Sequence, residues 1–312
     1  MSDAAAYEAI VIGGGPAGLT AGMYLARAGR KTLLLERTVL GGQIAQTGHV
    51  ENYPGFPEPL SGRELAERME KQALRFGLEI QFGRAEALRV EGQWKVVTAS
   101  GFPFRAPVVV VATGLVQALG IPGEEEFLGR GVSYCATCDG ALYRQRAVAV
   151  VGASEWAMEE AHHLTRFVST LYLVVPVGGV KPSTSLRREV LSHPSVRVVA
   201  GARPVEVVGD GSGVTGLLAE IQGSSEPTRL DVEGVFVFAG KKRPGTEFLR
   251  GLVDLDDDGY VKVDEACETS VPGLYAVGDV RRRRFHQVAS AVGDGCVAGM
   301  DALRHFKRGG QG

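Results

Sequence analysis

The sequence predicts an α/β fold of two Rossmann-like dinucleotide-binding domains, the second inserted into the first. Two strand–glycine turn–helix signals carry this prediction, Val11 to Gly18 and Val150 to Ala157. They lie about 140 residues apart, a spacing that marks a repeated domain. The third observation is the segment from Lys241 onward, which has no glycine fingerprint of its own and is expected to return and complete the first domain. The predicted division is 1–115 with 245–312 for the first domain, and 116–244 for the second.

The elements follow in order. Ala9 to Ile12 is a short buried strand, Gly13 to Gly18 a turn, and Leu19 to Ala28 a helix. Lys31 to Leu35 is the second strand, ending at Glu36, which completes a βαβ unit. Gly41 to Gln43 and Glu51 to Phe56 are loops. Arg63 to Arg75 has helical spacing, with Leu65, Met69 and Leu74 on its apolar side. Trp94 to Ala99 and Phe104 to Val111 read as strands, the latter running into Ala112-Thr113-Gly114. In the second domain, Ala147 to Val151 is a strand, Glu155 to Phe167 a helix and Leu171 to Val175 a strand. Further strands are expected at Val196 to Ala200, Val205 to Val208, Gly216 to Ile221 and Val235 to Ala239. The last segment holds Gly273 to Asp279 and a final helix from Ala289 to Arg304.

Composition narrows the function classes. Apolar content of 45% and charged content of 22% are those of an ordinary soluble globular chain, and 312 residues suffice for two filled cores. A net charge of −2 provides no global field for nucleic acid or a membrane surface. The N-terminus has no basic region and no cleavable apolar segment, and runs such as Val108 to Ala112 are too short to span a bilayer. The chain therefore reads as cytoplasmic. Its four cysteines, at 135, 138, 267 and 296, are too few for a disulfide scaffold.

Gly13-x-Gly15-x-x-Gly18 fits the dinucleotide fingerprint. The first glycine permits the turn, the second lets a pyrophosphate approach the backbone, and the third lets helix and strand pack closely. Glu36, 18 residues after Gly18, is placed to accept hydrogen bonds from a ribose. Cys135-Ala136-Thr137-Cys138-Asp139-Gly140 carries the other chemistry. Two thiols three positions apart can close a small disulfide and reopen it, and Asp139 can move the proton that this exchange requires. A zinc site would need two more ligands at zinc spacing, and Cys267 and Cys296 are isolated, with no histidine paired to them. These two cysteines read as ordinary small core or surface residues. A purely structural bridge between Cys135 and Cys138 would close too small a loop to stabilise much. His162-His163 reads as a surface or packing pair.

Taken together, Gly13 to Gly18 with Glu36, Gly42-Gln43, Asn52-Tyr53-Pro54-Gly55, Ala112-Thr113-Gly114, Ser133 to Gly140, and Gly278-Asp279 with Gln287 span nearly the whole chain. In these motifs the chain resembles the low-molecular-weight thioredoxin reductase family. The resemblance implies FAD in the first domain, NADPH in the second, a homodimer, and a thioredoxin-like protein disulfide as substrate. It implies that Gly13, Gly15, Pro16, Ala17, Gly18, Glu36, Arg37, Gly42, Gln43, Asn52, Ala85, Ala112, Thr113 and Gly114 bind FAD. Gly278 and Asp279 would hold its ribityl and phosphate region, and His286, Gln287 and Val288 would lie along the isoalloxazine. The family commonly has Arg where this chain has His286. The resemblance also implies that Cys138 faces the flavin, that Cys135 attacks the partner disulfide, and that Asp139 moves the proton.

The second fingerprint departs from the family pattern Gly-x-Gly-x-x-Ala. Gly152 and Ala157 fit, but Ser154 replaces the middle glycine and Trp156 adds bulk in the same turn. Where NADPH-dependent members carry a His-Arg-Arg run that clamps the 2′-phosphate, this chain has Val175-Pro176-Val177-Gly178-Gly179. Two lost charge-assisted contacts, at ~1.5–3 kcal/mol each, weaken binding by roughly two to four orders of magnitude. The sequence therefore argues against NADPH as the efficient donor, unless Lys181 or Arg188 rebuilds the clamp. Related branches draw electrons from ferredoxin, a deazaflavin or a second flavin. Arg281 to Arg284 and Lys241-Lys242-Arg243 are expected either to dock an acidic carrier such as ferredoxin or to be solvated basic loops. Two alternatives stay open: an ordinary NADPH-dependent enzyme, and a flavin–thiol redox sensor with no thioredoxin partner.

Overall fold

The computed structural model describes residues 4–134, 136–177, 180 and 184–309. Cys135, Gly178, Gly179 and Lys181 lie outside the described residues, as do the side chains of Thr137, Cys138 and Lys241. Among the described residues the α-helices are α1 (Pro16–Arg27), α2 (Gly62–Leu74), α3 (Ala136–Asp139), α4 (Glu155–Leu164), α5 (Ser185–Ser192) and α6 (Val288–Gly309). The chain forms two compact units, 1–116 with 243–312, and 117–242. The two crossings, Leu115–Ala118 and Lys241–Pro244, are extended and pair with each other.

The first unit is built on a five-stranded parallel sheet in the order 274–276, 108–111, 9–12, 32–36, 79–82. Its central strand, Ala9–Ile12, is buried on both faces, which is why four apolar residues run without alternation. Ala9 and Val11 face the core shared with Leu19, Leu25 and Ala298, whereas Ile10 and Ile12 pack with Leu88, Val97 and Phe104. Those last three belong to a second, four-stranded sheet of 5–6, 102–106, 94–99 and 85–91. Helices α1 and α6 pack together in the first core.

The second unit repeats this plan. Its parallel sheet runs 132–133, 234–237, 147–151, 170–174, 196–199, with an antiparallel sheet of 202–210, 213–221 and 228–230. In each unit the strand before the glycine turn is central, flanked by the strand that follows the helix and by one from much later in the chain. The fold is thus α/β with two Rossmann-like domains, the second inserted into the first.

Several element boundaries differ from expectation. Helix α1 starts at Pro16, inside the expected turn, because proline suits the first helical position and Gly15 serves as N-cap. The run 104–111 is two strands in different sheets, split at Pro107, which has no N–H to continue a ladder. Strands Glu79–Phe82, Ala85–Glu91 and Thr228–Leu230 and helix α5 went unpredicted; they are short or largely exposed and polar. Helix α4 ends at Leu164, before the expected Phe167, and α6 starts at Val288 and runs on to Gly309. In α2 the buried face is Leu65, Ala66 and Ala73 with Met69 beside them, while Leu74 is 44% exposed. The step of one residue from 73 to 74 turns the side chain by about 100°, off the core-facing stripe.

Leu65→Ala is expected to destabilise the chain by about 2–5 kcal/mol and Leu74→Ala by less than about 1 kcal/mol, read from urea unfolding of the two variants.

Candidate active site: two glycine turns and a dithiol loop

The first glycine turn is assembled by close backbone contact. A Cβ on Gly13, whose φ is +107°, would lie 2.4 Å from the Ala112 carbonyl oxygen, and one on Gly18 would lie 1.9 Å from that of Gly13. A Cβ on Gly15 would meet nothing within 4 Å, and one on Gly42 would approach only Gly15. Strand, helix and the neighbouring strand end at Ala112 are therefore pressed together, while the surface of the turn stays open at Gly15. Helix α1 carries no side-chain cap and no acid in its first turn, which leaves its terminal N–H groups for an anion. Glu36 is buried; its Oε2 accepts from Gly14 N at 2.6 Å and its Oε1 from Thr38 N at 2.9 Å. It thus holds the turn from beneath. Arg37, next to it, is exposed.

Distant segments of the first unit converge on this turn. Gly42 opens a short 3-10 helix, Gly42–Gln46, and Gly41 N donates to Gly14 O. Asn52 Nδ2 donates to Gln287 Oε1 at 3.1 Å, joining residues 235 positions apart. Thr113 Oγ1 donates to Gly245 O and Gly245 N donates to Gly114 O. Ala85 opens the strand beyond Gly83, whose N donates to Glu36 O. Gly278 N donates to Asp294 Oδ2 at 3.0 Å. Asp279 Oδ1 is buried with no hydrogen-bond partner; His286 Nδ1 lies 3.3 Å away without hydrogen-bond geometry. Gln287 accepts from Ser290 and Ala291 at the start of α6, and Val288 packs on the cluster of Ile44, Val50 and Leu65. An open cradle at Gly15, an uncapped helix terminus and a buried carboxylate oxygen that accepts no hydrogen bond fit a phosphate- and ribityl-bearing cofactor such as FAD.

The dithiol loop lies in the second unit. Cys138 falls in α3, and Asp139 Oδ2 accepts from Ser133 Oγ at 2.7 Å. The N–H of Ala136, between the two cysteines, donates to the buried Glu160 of α4 at 2.7 Å. Glu124, also buried, accepts from Tyr134 Oη, Leu119 N and Gly120 N. Burial first, and then the Asp139 charge, raises the Tyr143 hydroxyl above its ordinary value. Glu160 and Glu124 went unrecognised from sequence; their only trace is an acid at an otherwise buried position.

The second glycine turn is built differently. Ser154 is the N-cap of α4, its Oγ accepting from Ala157 N at 3.1 Å, and Glu155 follows in the first turn. Trp156 packs its ring edge-on to Phe238, 4.6 Å between centroids. Glu155 Oε2 accepts from Arg187 Nε at 2.8 Å and its Oε1 from Thr184 Oγ1 at 2.9 Å. Arg187 Nη2 donates to Ala153 O at 3.3 Å. Val175 is buried at the end of its strand, and Pro176 and Val177 are exposed. Arg188 is exposed. Helix α5 brings Arg187 back to the turn.

The basic run Arg281 to Arg284 is split: Arg281 and Arg283 turn inward, whereas Arg282 and Arg284 are exposed. Arg281 and Arg283 both pair with buried Asp294, and Arg281 also donates to the buried Cys267 thiol at 3.1 Å. Arg282 pairs with Asp256 and Asp258. Arg284 is exposed and lies over the Phe285 ring. For Arg281 and Arg283 burial drives the charge to a partner, because an unpaired buried guanidinium is costly. Burial also pushes the Cys267 thiol up to about 11, with the Asp294 charge adding to it. His162 binds Glu189 and His163 packs beside Phe167. No helix among the described residues is long and apolar enough to cross a membrane.

Residues 7–295 match the pyridine nucleotide-disulphide oxidoreductase family. A thioredoxin reductase of Aquifex aeolicus is 41% identical over 296 residues, covering 94% of this chain and 91% of that protein. The structure of a thioredoxin reductase from Gloeobacter violaceus matches with a TM-score of 0.67 and 40% identity, over 97% of this chain and 95% of that one. A ferredoxin-flavin thioredoxin reductase from Clostridium acetobutylicum matches with a TM-score of 0.63 and 25% identity, over 98% and 99% of the two chains.

Gly15→Val is expected to give a colourless protein that still folds, because a Cβ there meets nothing within 4 Å in the chain and stands where a phosphate would approach. Gly18→Val is expected to yield little soluble protein, because its Cβ collides with backbone. Flavin absorbance of the purified variants, and melting compared with FAD-stripped wild type, separate the two outcomes.

Proposed function

The chain belongs to the thioredoxin reductases of the pyridine nucleotide-disulphide oxidoreductase family, and from that premise we propose that it reduces a thioredoxin-like protein disulfide with electrons from a donor other than NADPH. The class of donor we favour is reduced ferredoxin, as named for one of the structural relatives. We further propose that the working form is a homodimer.

The observation that carries the donor assignment is the contrast between the two glycine turns. Helix α1 leaves its N-terminus uncapped and free of acids, whereas α4 fills its own with Ser154 and Glu155. A pyrophosphate arriving at α4 would have to displace a capping hydroxyl worth ~0.5–2 kcal/mol and approach a carboxylate. Pro176 and Val177 offer no cation for a 2′-phosphate.

In the first unit, Gly13 to Gly18, Glu36, Asn52 and Gln287, and Gly278 with Asp279, would hold FAD. Bound there, FAD supplies the two-electron couple that opens the Cys135–Cys138 disulfide. Cys135 then attacks the partner's disulfide as thiolate, releasing one partner thiolate and forming a mixed disulfide. Cys138 attacks Cys135 Sγ, which restores the intramolecular disulfide and frees the partner's second thiol. Two electrons pass to the partner, and its two thiolates take up two protons. Asp139, oriented by Ser133, moves a proton along this route, and Glu160 fixes the backbone between the thiols.

Under anaerobic conditions NADPH and NADH are expected to reduce the flavin very slowly, and reduced ferredoxin rapidly. Fast, saturable bleaching by micromolar NADPH would return the chain to the NADPH-dependent enzymes. Cys138→Ser is expected to abolish electron transfer from flavin to the disulfide. Cys135→Ser should keep flavin reduction and lose turnover of a thioredoxin; turnover by this variant in a thioredoxin-coupled assay would reverse the assigned roles.

A further inference from the structure

We propose that Glu155 and Arg187 form an internal anion lock on the second glycine turn, and that this pair sets the chain's discrimination against nicotinamide dinucleotides. The inference rests on the donor assignment above and names the residues that enforce it. Ser154 alone would account for one occupied N–H group. The pair accounts for the charge: a carboxylate stands in the first turn of α4, where an anion is favoured, and the Arg187 guanidinium is bonded to it.

The geometry ties the pair into both helix starts. Thr184 is the N-cap of α5, its Oγ1 accepting from Arg187 N at 3.2 Å and donating to Glu155 Oε1 at 2.9 Å. Arg187 Nε donates to Glu155 Oε2 at 2.8 Å, and its Nη2 reaches back to Ala153 O inside the turn. The Arg187 side chain is only 19% exposed, so it is held in this position by packing as well as by charge. Arginine is the residue best shaped to take a phosphate, and here its donors are turned onto a carboxylate and a backbone carbonyl of the same chain. In α1 no acid occupies the first turn, so the two turns differ in charge as well as in capping.

The chemistry excluded is a dinucleotide phosphate, and removing the Glu155 charge should admit it. Glu155→Gln keeps the size of the side chain and its contact with Thr184, and position 155 is exposed, so the variant folds. Calorimetric titration of the FAD-loaded protein with NADPH and with NADH reads the effect. Wild type is expected to bind both too weakly to saturate. Glu155→Gln should bind roughly tenfold more tightly or better, as loss of one like-charge contact predicts. The double variant Glu155→Gln, Arg187→Gln should lose that gain. A gain for both nucleotides assigns the freed Arg187 to the pyrophosphate, and a gain for NADPH alone assigns it to the 2′-phosphate; either supports the lock. Equal, weak binding by wild type and Glu155→Gln overturns the lock and leaves the donor assignment standing. A gain that survives in the double variant removes Arg187 from it. Tight NADPH binding by wild type overturns the donor assignment itself.

Discussion

The structure depends on one close approach of backbone. Gly13, Gly18 and Ala112 meet at distances that no side chain could occupy, and this brings the end of the central strand, the start of α1 and the end of strand 108–111 to one point. In a parallel sheet this is the place where connections leave in opposite directions, so a crevice opens beyond the strand ends. The rest of the first unit is arranged around that crevice. Glu36 supports the turn from below, and the Gly278 turn, bonded to Asp294 of α6, reaches it from the C-terminal segment. The Arg281–Asp294–Arg283 cluster anchors that same turn, which gives these two arginines a positioning role.

The second unit keeps the same frame and fills the end of its glycine turn differently. Gly152 still packs against Phe238 and Ala157, so the strand–helix junction is intact. The exposed end of α4 is instead satisfied from within, by Ser154 and by the Glu155–Arg187 pair. A side-chain cap contributes ~0.5–2 kcal/mol and an acid in the first turn ~0.3–1 kcal/mol. A helix end that meets its own hydrogen-bond needs is more stable and a poorer anion site. The dithiol loop, in turn, is braced by buried Glu160 and by Asp139, acids whose cost of burial is offset by the hydrogen bonds they accept.

How much of this was legible in the sequence follows from the range of the interactions concerned. The strand Ala9–Ile12, the glycine turns, the repeat and the family were legible because they rest on local pattern and on motifs. Helix boundaries shifted where a single residue decides them, as Pro16 does for α1 and Pro107 for the strand pair. Leu74 was misplaced because helical spacing alone does not say how wide the buried stripe is. The contact of Asn52 with Gln287, the pairing of Arg281 and Arg283 with Asp294, and the return of Arg187 to Glu155 all depend on segments far apart in the chain. A run of four arginines reads as a surface patch until the fold supplies the buried acid.

The proposed function requires one chain to couple a bound flavin to a redox-active cysteine pair. The most direct measurement is an anaerobic reductive titration of the purified flavoprotein with dithionite, counting electrons to full bleaching. Flavin and disulfide each take two electrons, so uptake of roughly four per FAD is predicted. Uptake of two per FAD, with Cys135 and Cys138 still disulfide-bonded afterwards, would mean that the flavin does not pass electrons to the cysteine pair.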